Sequence, residues 1–214
     1  MRAGLQRLRT ESDWEGLLLI ELDGDPPAVN EQSRQLHGIL KKCRAASALT
    51  SCVPEQSQKL KAARKSAFSA LAQLKPTTIL EDVTVPPSEI GRMMQFIHAA
   101  AQKGDLLFGN FGHAGDGNLH PTCLTDERDP AQIRPALDAF DAIFRETIRL
   151  GGTITGEHGV GLAKKEYLPQ QVGIAGIEIM QKIKAVLDPN QVLNPGKVFS
   201  VKPKCEGKYV AASV

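Results

Sequence analysis

The stretch Phe111-Gly-His-Ala-Gly-Asp-Gly-Asn-Leu-His-Pro121 constrains the fold more than any other part of the chain, because Asp-Gly flanked by extended apolar sequence is a strong hairpin signal. A two-residue type I′ loop needs positive φ at both central positions, and Asp116-Gly117 suits it. Counting outward from that turn pairs Gly115 with Asn118, Ala114 with Leu119 and His113 with His120. Directly opposed residues share a sheet face with Cβ atoms roughly 4.5–5.5 Å apart. The expected hairpin therefore presents two imidazoles side by side. Such a pair either chelates a metal ion or hydrogen-bonds across the hairpin, and spacing alone does not choose between the two.

The flanking sequence places elements around this hairpin. Leu17-Leu-Leu-Ile-Glu-Leu-Asp23 is a near-continuous apolar run closed by Asp23-Gly24 and Pro26-Pro27, which predicts a buried strand. Val29, Leu36, Ile39 and Leu40 recur at helical spacing and predict a helix over Ala28 to Lys42. Pro54 suits the first turn of a second helix, whose face carries Leu60, Ala63, Ala67 and Leu71. The β-branched segment Ile79 to Val85 predicts a strand stopped by Pro86-Pro87. A helix opened by Pro87 or Ser88 follows, running to Gly104, and then the hairpin strands, with Pro121 expected where no ladder donor is needed. Asp129-Pro130 opens a long helix ended by Gly151-Gly152, and a last helix spans Ile174 to Leu187 before a turn at Val192 to Lys197.

Short strands and long helices in this order do not alternate regularly enough for a doubly wound parallel sheet. The expectation is an α+β fold with helices on one face of a mainly antiparallel sheet and a C-terminal helical extension. Residues 1–199 are expected to form one domain and residues 200–214 a weakly structured tail.

Charge narrows the function classes. The 214 residues carry 26 Lys+Arg against 24 Asp+Glu, a near balance that offers no reason to propose nucleic acid or an anionic membrane as partner. The longest apolar run is far shorter than the ~18 residues a membrane span requires. The N-terminus lacks the apolar core and cleavage site of a signal peptide, so a cytoplasmic location is the default. Cys43, Cys52, Cys123 and Cys205 form no C-x-x-C pair and read as free thiols.

Beyond the hairpin, polar chemistry concentrates in Thr153-Ile-Thr-Gly-Glu-His-Gly-Val-Gly161. Glu157 is the carboxylate best placed to join His113 and His120 as a third ligand to zinc, manganese or iron. His158 follows immediately, so its side chain is expected to diverge from that of Glu157 and face substrate as a general base. The bland alternative is a turn histidine satisfied by backbone groups. Arg64 offers a bidentate grip on a carboxylate, or is an ordinary solvated charge. The glycines of this segment lack the strand-to-helix setting and G-x-G-x-x-G spacing of a dinucleotide cradle.

Taken in order, Gly112-His-Ala-Gly-Asp-Gly-Asn-Leu-His120, Gly156-Glu-His-Gly-Val-Gly161 and Leu193-Asn-Pro-Gly-Lys197 resemble the C-terminal half of FAD-linked oxidases of the vanillyl-alcohol-oxidase type. Asp82-Val-Thr-Val-Pro86 and the Arg64-Lys65 helix extend the resemblance over Leu17 to Phe199. Within that family the similarity is to the FAD subunit of glycolate oxidase and to D-lactate dehydrogenases. The resemblance implies a ferredoxin-like cap that covers the flavin and shapes the substrate pocket. FAD would be held mainly by an N-terminal FAD-binding domain, which is expected to be absent from this chain, leaving it inactive alone.

Carried over by residue, the resemblance implies His113, His120 and Glu157 as ligands of a divalent metal and His158 as the base taking the hydroxyl proton. It further implies Arg64 and Asn118 as substrate contacts and Asn194 as a residue near the flavin. Where 2-hydroxyglutarate dehydrogenases carry a lysine two residues before the position of Asp82, this chain has Leu80, so small 2-hydroxy acids such as glycolate or D-lactate are the expected substrates. Expected partners are that acid, the FAD-binding domain and electron-transfer subunits, through which the protein would lie against a membrane. An isolated cap would expose apolar surface and self-associate into a homo-oligomer. Two other classes compete: a metal-dependent hydrolase using the same His, His and Glu set, and a non-catalytic interaction module derived from the cap. The turn at Asn194 argues against the hydrolase, which has no use for it.

Overall fold

The computed structural model describes residues 16–199, and the expected tail from residue 200 lies outside them. The chain divides into two compact units with the boundary after Ala70. In the first, helix α1 (Pro26–Lys42) starts at an Asp25 cap whose carboxylate accepts the Ala28 N–H, with proline in the first turn. Helix α2 (Pro54–Leu71) opens on Pro54, as its sequence predicts.

The expected buried strand at Leu17–Asp23 is not formed. These residues adopt no regular structure, and Leu17, Leu18, Leu19 and Ile20 are all exposed. A strand requires a ladder partner, and every described ladder belongs to the second unit. Glu21 instead makes an ion pair with Lys61 of α2.

The second unit is built on an antiparallel sheet of β1 (Thr77–Leu80), β2 (Val83–Thr84), β3 (Leu107–His113) and β4 (Asn118–Thr125). The central strand is β4, with β3 on one side and both β1 and β2 on the other. Leu80 opposes Thr122 and Val83 opposes Leu119, so β1 and β2 keep one register and form a single track interrupted at Glu81-Asp82. The interruption has a cause across the ladder. Glu81 N–H donates to the Pro121 carbonyl (3.0 Å), but proline has no N–H to return. The single strand expected from Ile79 to Val85 is therefore split opposite Pro121.

Side-chain alternation gives the sheet one apolar and one polar face. Val83, Val85, Leu119 and Cys123 pack with Met93 and Ile97 of α3 (Ile90–Gly104) and with Ala136, Phe140, Ile143 and Phe144 of α4 (Pro130–Arg149). The α+β class, the antiparallel sheet and the helical cover on one face agree with the sequence. Helix α3 begins through a 3₁₀ turn at Pro87–Glu89 without a side-chain cap, and α4 is capped by Asp129 as expected. The last helix, α5 (Leu168–Leu187), is broken at Gly173 (φ 71°, ψ 172°), so the stretch after the break matches the expected helix from Ile174. Cys43 and Cys52 are exposed free thiols, while Cys123 is buried and its thiol is pushed up to about 11 by burial.

The hairpin differs from the expected type I′ form. His113 opposes Asn118 and Phe111 opposes His120, which leaves a four-residue loop in which only Gly117 has positive φ (81°). Two local bonds favour the longer loop: the Asp116 carboxylate accepts the Asn118 N–H (3.0 Å), and the His113 carbonyl accepts the Gly117 N–H (3.1 Å). The shift is two residues, so both histidines stay on the same face. They meet diagonally instead of directly, with ring centroids 5.5 Å apart. Gly117 is locked by its surroundings, since a Cβ there would lie 1.9 Å from the Val85 carbonyl oxygen. Gly117→Ala is expected to destabilise the second unit by about 2–3 kcal/mol, combining left-handed strain with a forced shift of β2, as measured by chemical denaturation.

Candidate active site

The polar face of the sheet carries His113, Asn118, His120, Thr84 and Asp82, the last beside His120 by register. The glycine-dense segment crosses this face. It is anchored at Thr153, whose N–H donates to the Thr84 carbonyl (2.7 Å) while Thr84 N–H donates back to the Thr153 carbonyl (2.9 Å). Gly156 then passes so close to the sheet that a Cβ would lie 2.1 Å from Asn118 Nδ2 and 2.4 Å from Thr84 Oγ1. Only glycine permits that approach.

Asp82 holds Gly156 and the two residues after it. Its Oδ2 accepts the N–H groups of Gly156 (2.9 Å), Glu157 (3.0 Å) and His158 (2.8 Å) and the Thr155 hydroxyl (2.6 Å). Its Oδ1 accepts from Asn118 Nδ2 (2.5 Å). Burial alone would push this fully buried carboxyl up. The bonds from Thr155, His158, Asn118 and Glu157 outweigh burial and hold it well below the usual carboxylate range.

Wrapping the backbone round one oxygen turns the Glu157 and His158 side chains toward the same place, against the expected divergence. Glu157 Oε1 lies 2.8 Å from His120 Nε2, 4.0 Å from His113 Nε2 and 3.7 Å from His158 Nε2. The His158 ring stacks on that of His120, with centroids 5.2 Å apart and planes 8° apart. His120 is buried, and desolvation lowers its pKa against the opposing pull of Glu157, favouring the neutral imidazole that a metal requires.

The three donors fit a metal ion. Atoms of His113, His120 and Glu157 all fall within 4.8 Å of one another. Two bonds of about 2.0–2.2 Å to one ion hold donors at most about 4.4 Å apart, so small side-chain rotations suffice. Two imidazoles and a carboxylate suit zinc, manganese or iron. Beside them lies a cleft of about 540 Å³ lined by Thr84, His113, Asp116, Asn118, Thr155 and Glu157, among others.

Asn118, Asn194 and Arg64 are the remaining expected residues. Asn118 is buried in the site, but its Nδ2 is committed to Asp82 and to Thr84 Oγ1 (2.9 Å). Asn194 has positive φ (48°) and lines a separate cavity of about 190 Å³ with Lys184, Leu193, Lys197, Val198 and Phe199. Arg64 is an exposed residue of α2 in the first unit.

Sequence reasoning gave no role to Asp82, Thr155 or Lys164. Asp82 had a signal, an acid inside a β-branched apolar run, which demands a partner. Lys164 had none. Its buried ammonium donates to the Asp82 carbonyl (2.7 Å), lies 3.2 Å from Glu81 Oε2 and sits over the Phe144 ring at 5.4 Å.

Comparison with known proteins bears on this arrangement. The family model described as "FAD linked oxidases, C-terminal domain" matches residues 1–198. The chain is 50% identical over 186 residues to the glycolate oxidase subunit GlcD of Bacillus subtilis, covering 87% of this chain and 40% of that protein. It is 33% identical over 193 residues to the GlcD subunit of Escherichia coli K12, covering 90% and 39% respectively. Against the mitochondrial D-lactate dehydrogenase [cytochrome] of Arabidopsis thaliana it is 32% identical over 184 residues, covering 85% and 32%. The chain thus spans about 40% or less of the length of these relatives.

Proposed function

The chain belongs to the family of FAD linked oxidases, C-terminal domain, and from that membership we propose that it is the substrate-binding cap of an FAD-dependent 2-hydroxy-acid dehydrogenase. The substrate class is that named by its relatives, glycolate or D-lactate. The observation that carries this reading is the convergence of His113, His120 and Glu157 within 4.8 Å beside a third imidazole, His158.

In this reading His113, His120 and Glu157 hold a divalent metal, which when bound supplies a Lewis acid for the substrate hydroxyl and carboxylate. FAD, held mainly by a separate FAD-binding domain, supplies the hydride acceptor. His158 takes the hydroxyl proton at a ring nitrogen as the Cα–H bond is broken. Arg64 grips the carboxylate, Asn118 offers its amide oxygen to the substrate, and Asn194 faces the flavin. Stacking on His120 orients the His158 ring, while Gly156 keeps the segment close enough to the sheet for both to act. Leu80 opposes Thr122, on the same face as Asp82 and His120, and leaves a second carboxylate without a cation.

The test uses the complete flavoprotein in which this domain is joined to its FAD-binding domain. Under anaerobic conditions, glycolate or D-lactate is expected to bleach the flavin, and 2-hydroxyglutarate to do so more slowly. Absence of bleaching by every 2-hydroxy acid overturns the assignment, and preference for 2-hydroxyglutarate overturns the role of Leu80.

Among the described residues no helix is long and apolar enough to cross a membrane. Electron-transfer subunits are the partners through which this reading brings the protein to a membrane. Ile174, Ile179, Ile183, Val186 and Leu187 of α5 are exposed, an apolar surface suited to the FAD-binding domain. The chain alone is expected to self-associate through it. Sedimentation velocity should show weight-average mass rising with concentration, and a monomer at every loading contradicts the expectation.

A further inference from the structure

We propose that Asp82 is the positioning residue of this site, its carboxylate holding the Gly156–His158 turn so that Glu157 and His158 face His120. The proposal rests on the reading of His113, His120 and Glu157 as metal ligands. Asp82 does not belong to that set. All described hydrogen-bond partners of its carboxylate are internal: three consecutive N–H groups, the Thr155 hydroxyl and the Asn118 amide.

The geometry assigns it more than a packing role. One oxygen takes four donors, while the other ties the turn to Asn118 of β4, two residues from His120. Thr155 completes the arrangement, its Oγ1 donating to Asp82 and accepting the Gly159 N–H (2.7 Å). The turn on which Glu157 and His158 sit makes one described backbone ladder contact, at Thr153. Asp82 is therefore its principal tie to the sheet that carries both histidines. An asparagine in its place has nearly the same shape, but it accepts through one oxygen only and turns an amide N–H₂ toward either the turn or Asn118 Nδ2, both of which are donors. In one orientation the turn loses its acceptor, and in the other it keeps only a neutral oxygen while the tie to Asn118 breaks, so the anchor weakens in both although the apolar core under the opposite sheet face is untouched.

The test compares the full 214-residue chain with its Asp82→Asn variant. Cobalt(II) binding is followed by visible absorption, and amide hydrogen exchange is read at Gly156, Glu157 and His158 and in α4. The wild-type chain is expected to bind cobalt(II) and protect the three turn amides. D82N is expected to bind about 10- to 100-fold more weakly and lose that protection while α4 keeps its own. Equal cobalt(II) affinity, or turn amides as protected as in the wild type, overturns the role of Asp82. If the wild type binds no cobalt(II), the metal reading fails, and exchange decides the proposal: lost protection in D82N upholds it and retained protection overturns it. Should D82N not fold, Thr155→Val removes one donor to the same oxygen. It is expected to speed exchange at the same three amides severalfold, and unchanged exchange overturns the proposal.

Discussion

Replacing Lys164 with methionine is expected to destabilise the second unit by about 3–5 kcal/mol, because it removes one partner of a buried ion pair and leaves the other behind. Lys164 is 3% exposed and Glu81 is 16% exposed, and the same ammonium also satisfies the Asp82 carbonyl. Burial already pushes the Glu81 carboxyl up, and Lys164 is the main opposing influence. Without it Glu81 rises further and folds most easily as the neutral acid. The sign of the pH dependence follows. A carboxyl whose folded pKa exceeds its unfolded value binds its proton more tightly when folded, so stability falls as pH rises through the window between the two. The deficit of the methionine variant should be smallest below the ordinary carboxylate range and should grow toward neutral pH. Urea denaturation of both chains across that range measures it, and a pH-independent deficit would contradict the assignment. Lys164→Met together with Glu81→Leu should recover much of the loss, since an apolar pair of similar volume replaces both charges.

The second large effect belongs to His158. In the complete flavoprotein, His158→Ala is expected to lower the rate of flavin reduction by about 10²–10⁴-fold, the usual range for removing a general base. Metal content should stay near that of the wild type, because the three ligand atoms within 4.8 Å do not include His158. Loss of the metal alongside the rate would make His158 a ligand, and an unchanged rate would remove it from the reaction. The stacked His120 ring predicts a second signature. Opening that face should raise the exposure of an imidazole that is now buried.

How much of this was legible in the sequence depends on whether the decisive contact was local. The hairpin was legible because glycine at position 117 is a requirement of its own backbone angle. Its register was not, because the Asp116 carboxylate captures the Asn118 N–H and lengthens the loop, a side-chain bond that turn propensities do not contain. Helices α2 and α4 announce themselves through proline in the first turn, with an aspartate at the start of α4, and both form where that chemistry places them, while α1, expected from its apolar stripe over Ala28 to Lys42, begins two residues earlier at Pro26. The run Leu17–Asp23 has the composition of a strand without a described ladder partner, and composition cannot supply one. The break at Glu81-Asp82 arises from a proline about forty residues away.

The site followed the same rule. His113, His120, Glu157 and His158 were singled out as residue types that hold metals or move protons, and they do meet. Their convergence depends on Asp82, whose bonds span more than seventy residues of sequence to reach the Gly156–His158 turn. No periodicity or motif spacing encodes that contact. Resemblance to a family carried the motif around Asp82 without saying what its carboxylate does.

The most direct test of the account is the metal content of the chain after dialysis against zinc(II), manganese(II) or iron(II), with His120→Ala and Glu157→Ala measured in parallel. The donor set predicts one ion per wild-type chain for at least one of these metals, and stoichiometric binding lost in both variants. A wild-type chain that retains none of the three, or variants that retain as much as the wild type, would contradict the assignment of His113, His120 and Glu157 as the metal centre.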